Sequence, residues 1–178
     1  MTFARYCALL WVLFGLVTYA STQTQVDGHL NRFHGSWQGD GNAFGRPARL
    51  EIKWEWVLGD KFLRLSLRND MRDNNGRGQV FEGHAYYRPK KTDSSSSANP
   101  GSASIARFEA AWFDSRGVSF PIQAHIEGDM LIALWGAPDQ EEGKSTYRIL
   151  EPGKMEVVDF VRQKDGSWRE FGKFVVRK

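Results

Sequence analysis

The chain has 178 residues, of which 41% are hydrophobic and 13% aromatic, including 7 Trp. This length and composition allow one globular domain with a substantial core. The formal net charge of +3 arises from 24 basic and 21 acidic residues. Because the two kinds are interspersed and form no basic stripe, we expect no nucleic-acid partner.

The first twenty residues differ in composition from the rest. Arg5 precedes an apolar run from Cys7 to Val17, and small residues begin at Ala20. A short basic start, an apolar stretch of this length and small residues after it are typical of a secretory signal peptide. We therefore predict a signal at residues 1–20 and a periplasmic or secreted protein with no stable membrane span after cleavage. The alternative is an uncleaved membrane anchor, for which the apolar run is short.

Cleavage would also remove Cys7, the only cysteine in the sequence. A mature chain without cysteine has no disulfide, no thiolate nucleophile and no cysteine-ligated metal. Residues 21–29 are polar and predict a flexible leader, and residues 30–178 predict a single barrel domain. At the start of this domain, Leu30 to His34 predicts one helical turn.

Beyond this turn the chain shows two-residue alternation, interrupted by turn residues, and no sustained helical periodicity. In one clear example Leu50, Ile52 and Trp54 alternate with charged residues, which predicts one buried and one exposed face. This pattern recurs in about ten short segments. It predicts an all-β fold, an antiparallel up-and-down β-barrel of about ten strands, because closure removes the exposed strand edges.

Three segments depart from this alternation. Residues 89–104 include four consecutive serines and predict a mobile loop, and residues 136–143 predict an acidic loop. Residues 130–135 are apolar on both faces, which predicts a well-covered strand.

A barrel of about ten strands is wide enough that side chains need not fill it. Gly83, Ala85 and Ala110 share the inward faces with large aromatic residues, which predicts an aromatic-walled pocket. The alternative is that these rings interlock as an ordinary core. The predicted ligand-binding residues are Trp54, Trp56, Phe81, Tyr87, Phe108, Trp112, Asp114 and Phe120.

The sequence GSWQGDG at residues 35–41 resembles the GxWxGxG signature of nitrobindin-like barrels, which are related to lipocalins. Later segments, such as DGSW at residues 165–168, resemble bacterial lipocalin-like domains of unassigned function. The resemblance extends over residues 30–178 and implies a calycin-type barrel. It also implies that Trp37 of the first strand stacks against Arg177 of the last strand and seals one barrel end.

Nitrobindins bind haem through a histidine near the C-terminus, but no histidine follows His125 in this chain. His84 and His125 fall on outward faces by the alternation, whereas a haem ligand must point inward. His29 and His34 lie outside the main strands. We therefore expect the barrel without the haem, and no other cofactor or metal is predicted.

The favoured function is an exported barrel that binds a small apolar or amphipathic ligand in its lumen, with Tyr87 or Asp114 orienting a polar end. One alternative is a non-enzymatic envelope-accessory or interaction protein with a filled barrel. Its contact surfaces would be the serine-rich and acidic loops.

An enzyme is the less favoured reading, because HExxH, GxSxG and glycine-rich phosphate-loop motifs are absent from the sequence. Among the carboxylates, Glu109, Glu127 and Asp159 are expected to face outward. Asp114 shares the parity of Trp112, so a lumenal position would raise its pKa and make it the candidate general acid or base.

Overall fold

The computed structural model describes residues 28–72, 77–90 and 106–178. Within these residues, ten antiparallel strands form one closed barrel in which β1 pairs with β10 and every other neighbour is consecutive in the chain. The predicted all-β, up-and-down barrel is confirmed. The strands are β1 Gly35–Ala43, β2 Arg46–Val57, β3 Phe62–Arg72, β4 Gly78–Pro89, β5 Arg107–Asp114, β6 Ser119–Glu127, β7 Met130–Gly136, β8 Glu142–Glu151, β9 Lys154–Arg162 and β10 Trp168–Arg177.

Several predicted segments lie outside the described residues. These are the signal peptide at residues 1–20, most of the leader at residues 21–29 and most of the serine-rich loop at residues 89–104. They stay predictions. Among the helical residues that the structure does describe, none forms a stretch long and apolar enough to cross a membrane.

The strand connections divide between the two ends of the barrel, because consecutive strands run in opposite directions. We name the end that holds the start of β1 the closed end. The opposite end, which holds the turns at residues 44–45, 115–118, 137–141 and 163–167, is the open end.

A helical turn at residues 28–31 covers the closed end, starting two residues before the predicted turn. Leu30 and Phe33 are fully buried there. The indole N–H of Trp37 donates a hydrogen bond to the carbonyl oxygen of Phe33 at 2.7 Å, and the rings of Phe33 and Trp54 lie 5.8 Å apart. Apolar side chains therefore fill this end of the lumen.

Strands β1 and β10 approach closely at two glycines of the GSWQGDG segment. A Cβ at Gly39 would lie 2.1 Å from the carbonyl oxygen of Val175, and one at Gly41 would lie 2.2 Å from that of Lys173. Any side chain at either position would force the strands apart. The two glycines therefore permit the contact that closes the barrel.

The cation above Trp37 is Lys178 rather than the Arg177 that the family resemblance implied. The Nζ of Lys178 lies 4.7 Å from the centroid of the indole ring. Arg177 is paired with Gln38 in the β1–β10 ladder. Because directly opposed residues of an antiparallel pair point to the same face, Arg177 lies on the outer face with Gln38. The next residue in the chain, Lys178, reaches the ring.

Candidate ligand-binding cavity in the barrel lumen

A cavity of about 550 Å³ occupies the lumen toward the open end. Its volume lies within the range of small-molecule sites. Tyr87 and Tyr147 form its floor and contact Trp54 below them, with ring centroids 5.4 and 5.2 Å from the indole. Phe44 and Glu141, from two turns of the open end, line its rim. The lumen is therefore incompletely filled and is reached from the open end.

Four rings from four consecutive strands line one side of the cavity. We name them the aromatic wall: Phe81 of β4, Trp112 of β5, Phe120 of β6 and Trp135 of β7. Ring centroids are 6.3 Å apart for Phe81 and Trp112 and 5.7 Å apart for Phe120 and Trp135. Trp112 and Phe120 are direct partners in the β5–β6 ladder. The wall offers a continuous apolar surface to a ligand.

Two glycines allow the indoles of the aromatic wall to lie close to the sheet. A Cβ at Gly83 would lie 2.1 Å from the ring of Trp112, and a Cβ at Gly143 would lie 1.8 Å from the ring of Trp135. The sequence suggested that Gly83 leaves open space in the lumen. In the structure that space holds the Trp112 indole, so Gly83 positions a wall residue instead.

A partly buried polar cluster, formed by Asp159, Ser145 and the indole N–H of Trp135, lies at the edge of the aromatic wall. The hydroxyl of Ser145 donates a hydrogen bond to Oδ1 of Asp159 at 2.6 Å, and Nε1–H of Trp135 donates to the Ser145 oxygen at 3.2 Å. Asp159 lines the cavity, and its residual exposure is to that cavity. Burial raises the pKa of Asp159 to about 6, and the hydrogen bond from Ser145 offsets part of that shift.

The expectation that Asp159 faces outward was wrong. Asp159 is opposite Ser145 of β8 and Gly172 of β10, and it lies on the inner face of β9 together with Val157. Val158, on the other face of the same strand, is only 7% exposed. Lys154, Glu156 and Arg162 mark the outer face of β9, but Val158 and Phe160 interrupt that polar pattern on either side of Asp159, which weakened the signal there.

Arg116 joins several groups at the rim of the cavity. Its guanidinium lies 2.8 Å from a carboxylate oxygen of Asp114, 3.1 Å from one of Glu141 and 5.6 Å from the centroid of Phe81. Nε1–H of Trp112 also donates to Asp114 at 3.0 Å. We name Arg116, Asp114 and Glu141 the rim ion network.

The rim ion network sets the ionisation of Asp114. Burial raises the pKa of Asp114, but hydrogen bonds from Arg116 and Trp112 lower it, and the net pKa lies below the usual value. An upward pKa shift was expected only for a lumenal Asp114; Asp114 does not line the cavity, and its pKa is lowered instead. A carboxylate held ionised in this way is poorly suited to act as a general acid.

Of the eight predicted ligand-binding residues, four line the cavity and four lie elsewhere. Trp54 and Phe108 are fully buried between the floor and the closed end. Trp56 is half-buried and donates a hydrogen bond to Asn31 at 3.4 Å, and Asp114 belongs to the rim ion network. The residues that line the cavity, and whose binding role stays a prediction, are Phe81, Tyr87, Trp112 and Phe120.

Both strand histidines lie on the outer face of the barrel. His84 is opposite Ser66 and lies 3.1 Å from its hydroxyl. His125 lies 2.9 Å from the carboxylate of Glu127. Neither of them lines the cavity.

The predicted set contains four of the residues that line the cavity, and for some of the others a signal was present in the sequence. Ser145 and Tyr147 alternate with Lys144 and Thr146, which already indicated an inward position in β8. Trp135 was hidden because β7 is apolar on both faces. The lining residues absent from that set include Asn69, Arg116, Trp135, Ser145, Tyr147 and Asp159.

The closed ten-stranded barrel with a cavity in its lumen defines a calycin-like fold. The chain is similar in structure to Rv2717c from M. tuberculosis, with a TM-score of 0.57 and 16% identity over 86% of this chain and 96% of that one. It is also similar to the S-type phycobiliprotein lyase CPES from Guillardia theta, with a TM-score of 0.52 and 9% identity over 89% of this chain and 98% of that one. No protein-family model and no curated protein sequence matches the chain. These comparisons show the fold, and the resemblance to nitrobindin stays a prediction from the motif.

Proposed function

We propose that the barrel binds a small amphipathic molecule in the open part of its lumen. The observation that carries this proposal is the cavity of about 550 Å³, whose aromatic wall ends beside the partly buried polar cluster. Ligand sites of this kind combine a large apolar contact area with a few polar groups that fix orientation. The aromatic wall supplies the first, and Asp159, Ser145 and the two floor tyrosines supply the second.

The cavity also favours ligand binding over the filled-barrel alternative. An interaction protein that uses only its outer surface gains nothing from an unfilled lumen, since each void forfeits packing energy in the folded state. At 9% identity the phycobiliprotein lyase shares the fold alone. The proposal therefore depends on the cavity of this chain and not on the activity of that neighbour.

Binding would take place in the periplasm or outside the cell if the predicted signal at residues 1–20 is functional. Cleavage after Ala20 would leave a mature chain that begins at Ser21. N-terminal sequencing of the protein recovered from the periplasm or the medium tests this. Recovery of an intact N-terminus from the cytoplasm would contradict it.

A fluorescence titration with N-phenyl-1-naphthylamine, a neutral apolar probe, tests the proposed function. We expect saturable binding at one site, with emission enhanced by the apolar surface of the aromatic wall. Trp112→Leu and Trp135→Leu should each weaken binding by about 5- to 30-fold, since each removes one large ring contact of about 1 to 2 kcal/mol.

Trp168→Leu is the matched control for the two wall variants. Trp168 is 40% exposed on the outer face, where Lys144 and Arg162 lie against its ring. This substitution should leave probe affinity unchanged. A probe that fails to bind the wild-type protein, or that binds all three variants as tightly as the wild type, would contradict the proposal.

A further inference from the structure

Asp159 lies at mid-barrel between two small residues. In the ladders its partners are Ser145 of β8 and Gly172 of β10. A Cβ at Gly172 would lie 3.1 Å from Oδ2 of Asp159, so a side chain at that position would crowd the carboxylate. Because neither neighbour covers it, the carboxylate lines the cavity.

The two carboxylate oxygens of Asp159 have different environments. Oδ1 accepts the hydrogen bond from Ser145, whose own oxygen accepts the N–H of Trp135. Among the described residues, Oδ2 receives no hydrogen bond and no ion pair. One oxygen is therefore fixed by the protein while the other remains available to a donor in the cavity.

No cation of the described chain neutralises Asp159. Burial dominates its pKa, and the groups coupled to it are Tyr87 and Tyr147, which are neutral at physiological pH. The cationic side chains that line the cavity are Arg46 and Arg116, both at the open end. Arg116 is already paired with Asp114 and Glu141.

A second unpaired acceptor lines the same cavity. Oδ1 of Asn69, on β3, is buried and has no hydrogen-bond partner, and the residue is 8% exposed. Buried acceptors without donors cost free energy, and native proteins rarely leave them unpaired. The cavity thus offers two unpaired acceptor oxygens, one from Asp159 and one from Asn69, to whatever occupies it.

We propose that the ligand of this cavity carries a protonated amine on an aromatic or aliphatic body. An ammonium group has up to three N–H donors and no acceptor, which complements the unpaired oxygens of Asp159 and Asn69. Its charge compensates the buried carboxylate, and the apolar body contacts the aromatic wall. This inference rests on the proposed function, because it names the ligand class of the same cavity.

Displacement of bound N-phenyl-1-naphthylamine by two probes with the same ring system tests the inference. 1-Naphthylmethylamine carries the ammonium group, and 1-naphthylmethanol replaces it with a neutral hydroxyl. For the wild-type protein at pH 7.5 we expect the amine to bind at least about tenfold more tightly than the alcohol, as one charge-assisted hydrogen bond predicts. Equal affinities would overturn the inference without involving any variant.

Asp159→Asn should reduce this preference to about threefold or less, because the amide has no charge to pair with the ammonium. Glu156→Gln is the matched control, since Glu156 lies on the same strand and pairs with Lys173 on the outer face. It should keep the full preference. A preference that survives in Asp159→Asn would also overturn the inference.

The outcomes separate this inference from the proposed function. If N-phenyl-1-naphthylamine binds the wild type but the amine shows no advantage over the alcohol, only the ligand class is wrong. If none of the three probes binds, the proposed function itself fails. Binding of N-phenyl-1-naphthylamine to Asp159→Asn within about threefold of the wild type confirms that the variant retains its lumen.

Discussion

The closed end and the open end of the barrel are built from the same strands, but their aromatic residues are packed differently. At the closed end, Phe33, Trp54 and Phe108 are fully buried and contact side chains on all sides. At the open end, the rings of the aromatic wall contact neighbours on one side and the cavity on the other. The difference indicates that stability is concentrated at the closed end and ligand contact at the open end.

Polar groups follow the same division. Asp159, Ser145 and Asn69 all line the cavity, whereas the core below its floor is formed by apolar and aromatic side chains, with the buried indole N–H of Trp54 as an unpaired donor among them. A protein optimised for stability alone would replace a buried, unpaired acceptor by an apolar side chain. Their position beside the aromatic wall is therefore better explained by ligand binding than by packing.

The largest expected effect contrasts the same substitution at the two ends. Phe108→Ala should lower the free energy of unfolding by about 3 to 5 kcal/mol, because it leaves a cavity in a filled core. Phe81→Ala should lower it by about 1 to 2 kcal/mol, since that half-buried ring already faces empty space. Urea denaturation of both variants measures the difference. Equal losses would contradict the division between the ends.

The next effect concerns the pH dependence of stability. Burial raises the pKa of Asp159 from 3.8 to about 6, so between these values the folded state binds this proton more tightly than the unfolded state does. The contribution of Asp159 to stability is therefore present below pH 4 and is lost as the pH rises to 6. Asp159→Asn should be more stable than the wild type by about 1 to 3 kcal/mol at pH 7.

Urea midpoints of the wild type and Asp159→Asn from pH 4 to pH 8 test this prediction. Other carboxylates titrate in the same range, but they are common to both proteins and cancel in the difference. The advantage of the variant should grow between pH 4 and pH 6 and then level off. A difference independent of pH would show that Asp159 has an ordinary pKa.

A third prediction disturbs the aromatic wall without removing a ring. Gly83→Ala adds a Cβ that would lie 2.1 Å from the Trp112 indole, so the ring must shift into the cavity. We expect a loss of about 1 to 2 kcal/mol in stability and clearly weaker probe binding. Gly78→Ala, on the same strand with its nearest atom at 3.7 Å, is the control. Unchanged probe binding in Gly83→Ala would show that Trp112 does not form the wall.

The smallest effect tests which cation covers Trp37 at the closed end. Lys178→Ala should destabilise the protein by about 0.5 to 1 kcal/mol through the lost cation–π contact. Arg177→Ala, on the outer face, should have no measurable effect. Thermal unfolding at low ionic strength resolves differences of this size. A larger loss for Arg177→Ala would favour the pair that the family resemblance implied.

The sequence predicted the fold because two-residue alternation is a direct consequence of strand geometry. Strands such as β2, with apolar residues at positions 50, 52 and 54 and charged ones between, indicate their inner face without ambiguity. The same reasoning failed at β9, where Val158 is buried as well as Val157. Charged residues at positions 154, 156 and 162 indicate the outer face of β9, but apolar residues at 158 and 160 break this pattern beside Asp159, and a carboxylate is the residue least expected on an inner face.

The cavity was less predictable than the barrel that surrounds it. Alternation identifies which rings point inward, but it does not say how far along the axis a ring lies or whether another side chain fills the space beside it. Trp54 and Phe108 were therefore grouped with Phe81 and Trp112, although the structure places them below the floor. The ionisation of Asp114 likewise depends on Arg116, whose contact follows from the turn and not from the strand pattern.

Filling the cavity tests the central claim most directly. Ala133 is buried and lines the lumen, so Ala133→Phe should place a ring in the empty space. We predict that this variant folds with a free energy of unfolding within about 1 kcal/mol of the wild type and no longer binds N-phenyl-1-naphthylamine. Ala85→Phe, at a fully buried position that does not line the cavity, should instead be strongly destabilised. A folded Ala133→Phe variant that still binds the probe with wild-type affinity would contradict the claim that the lumen is the binding site.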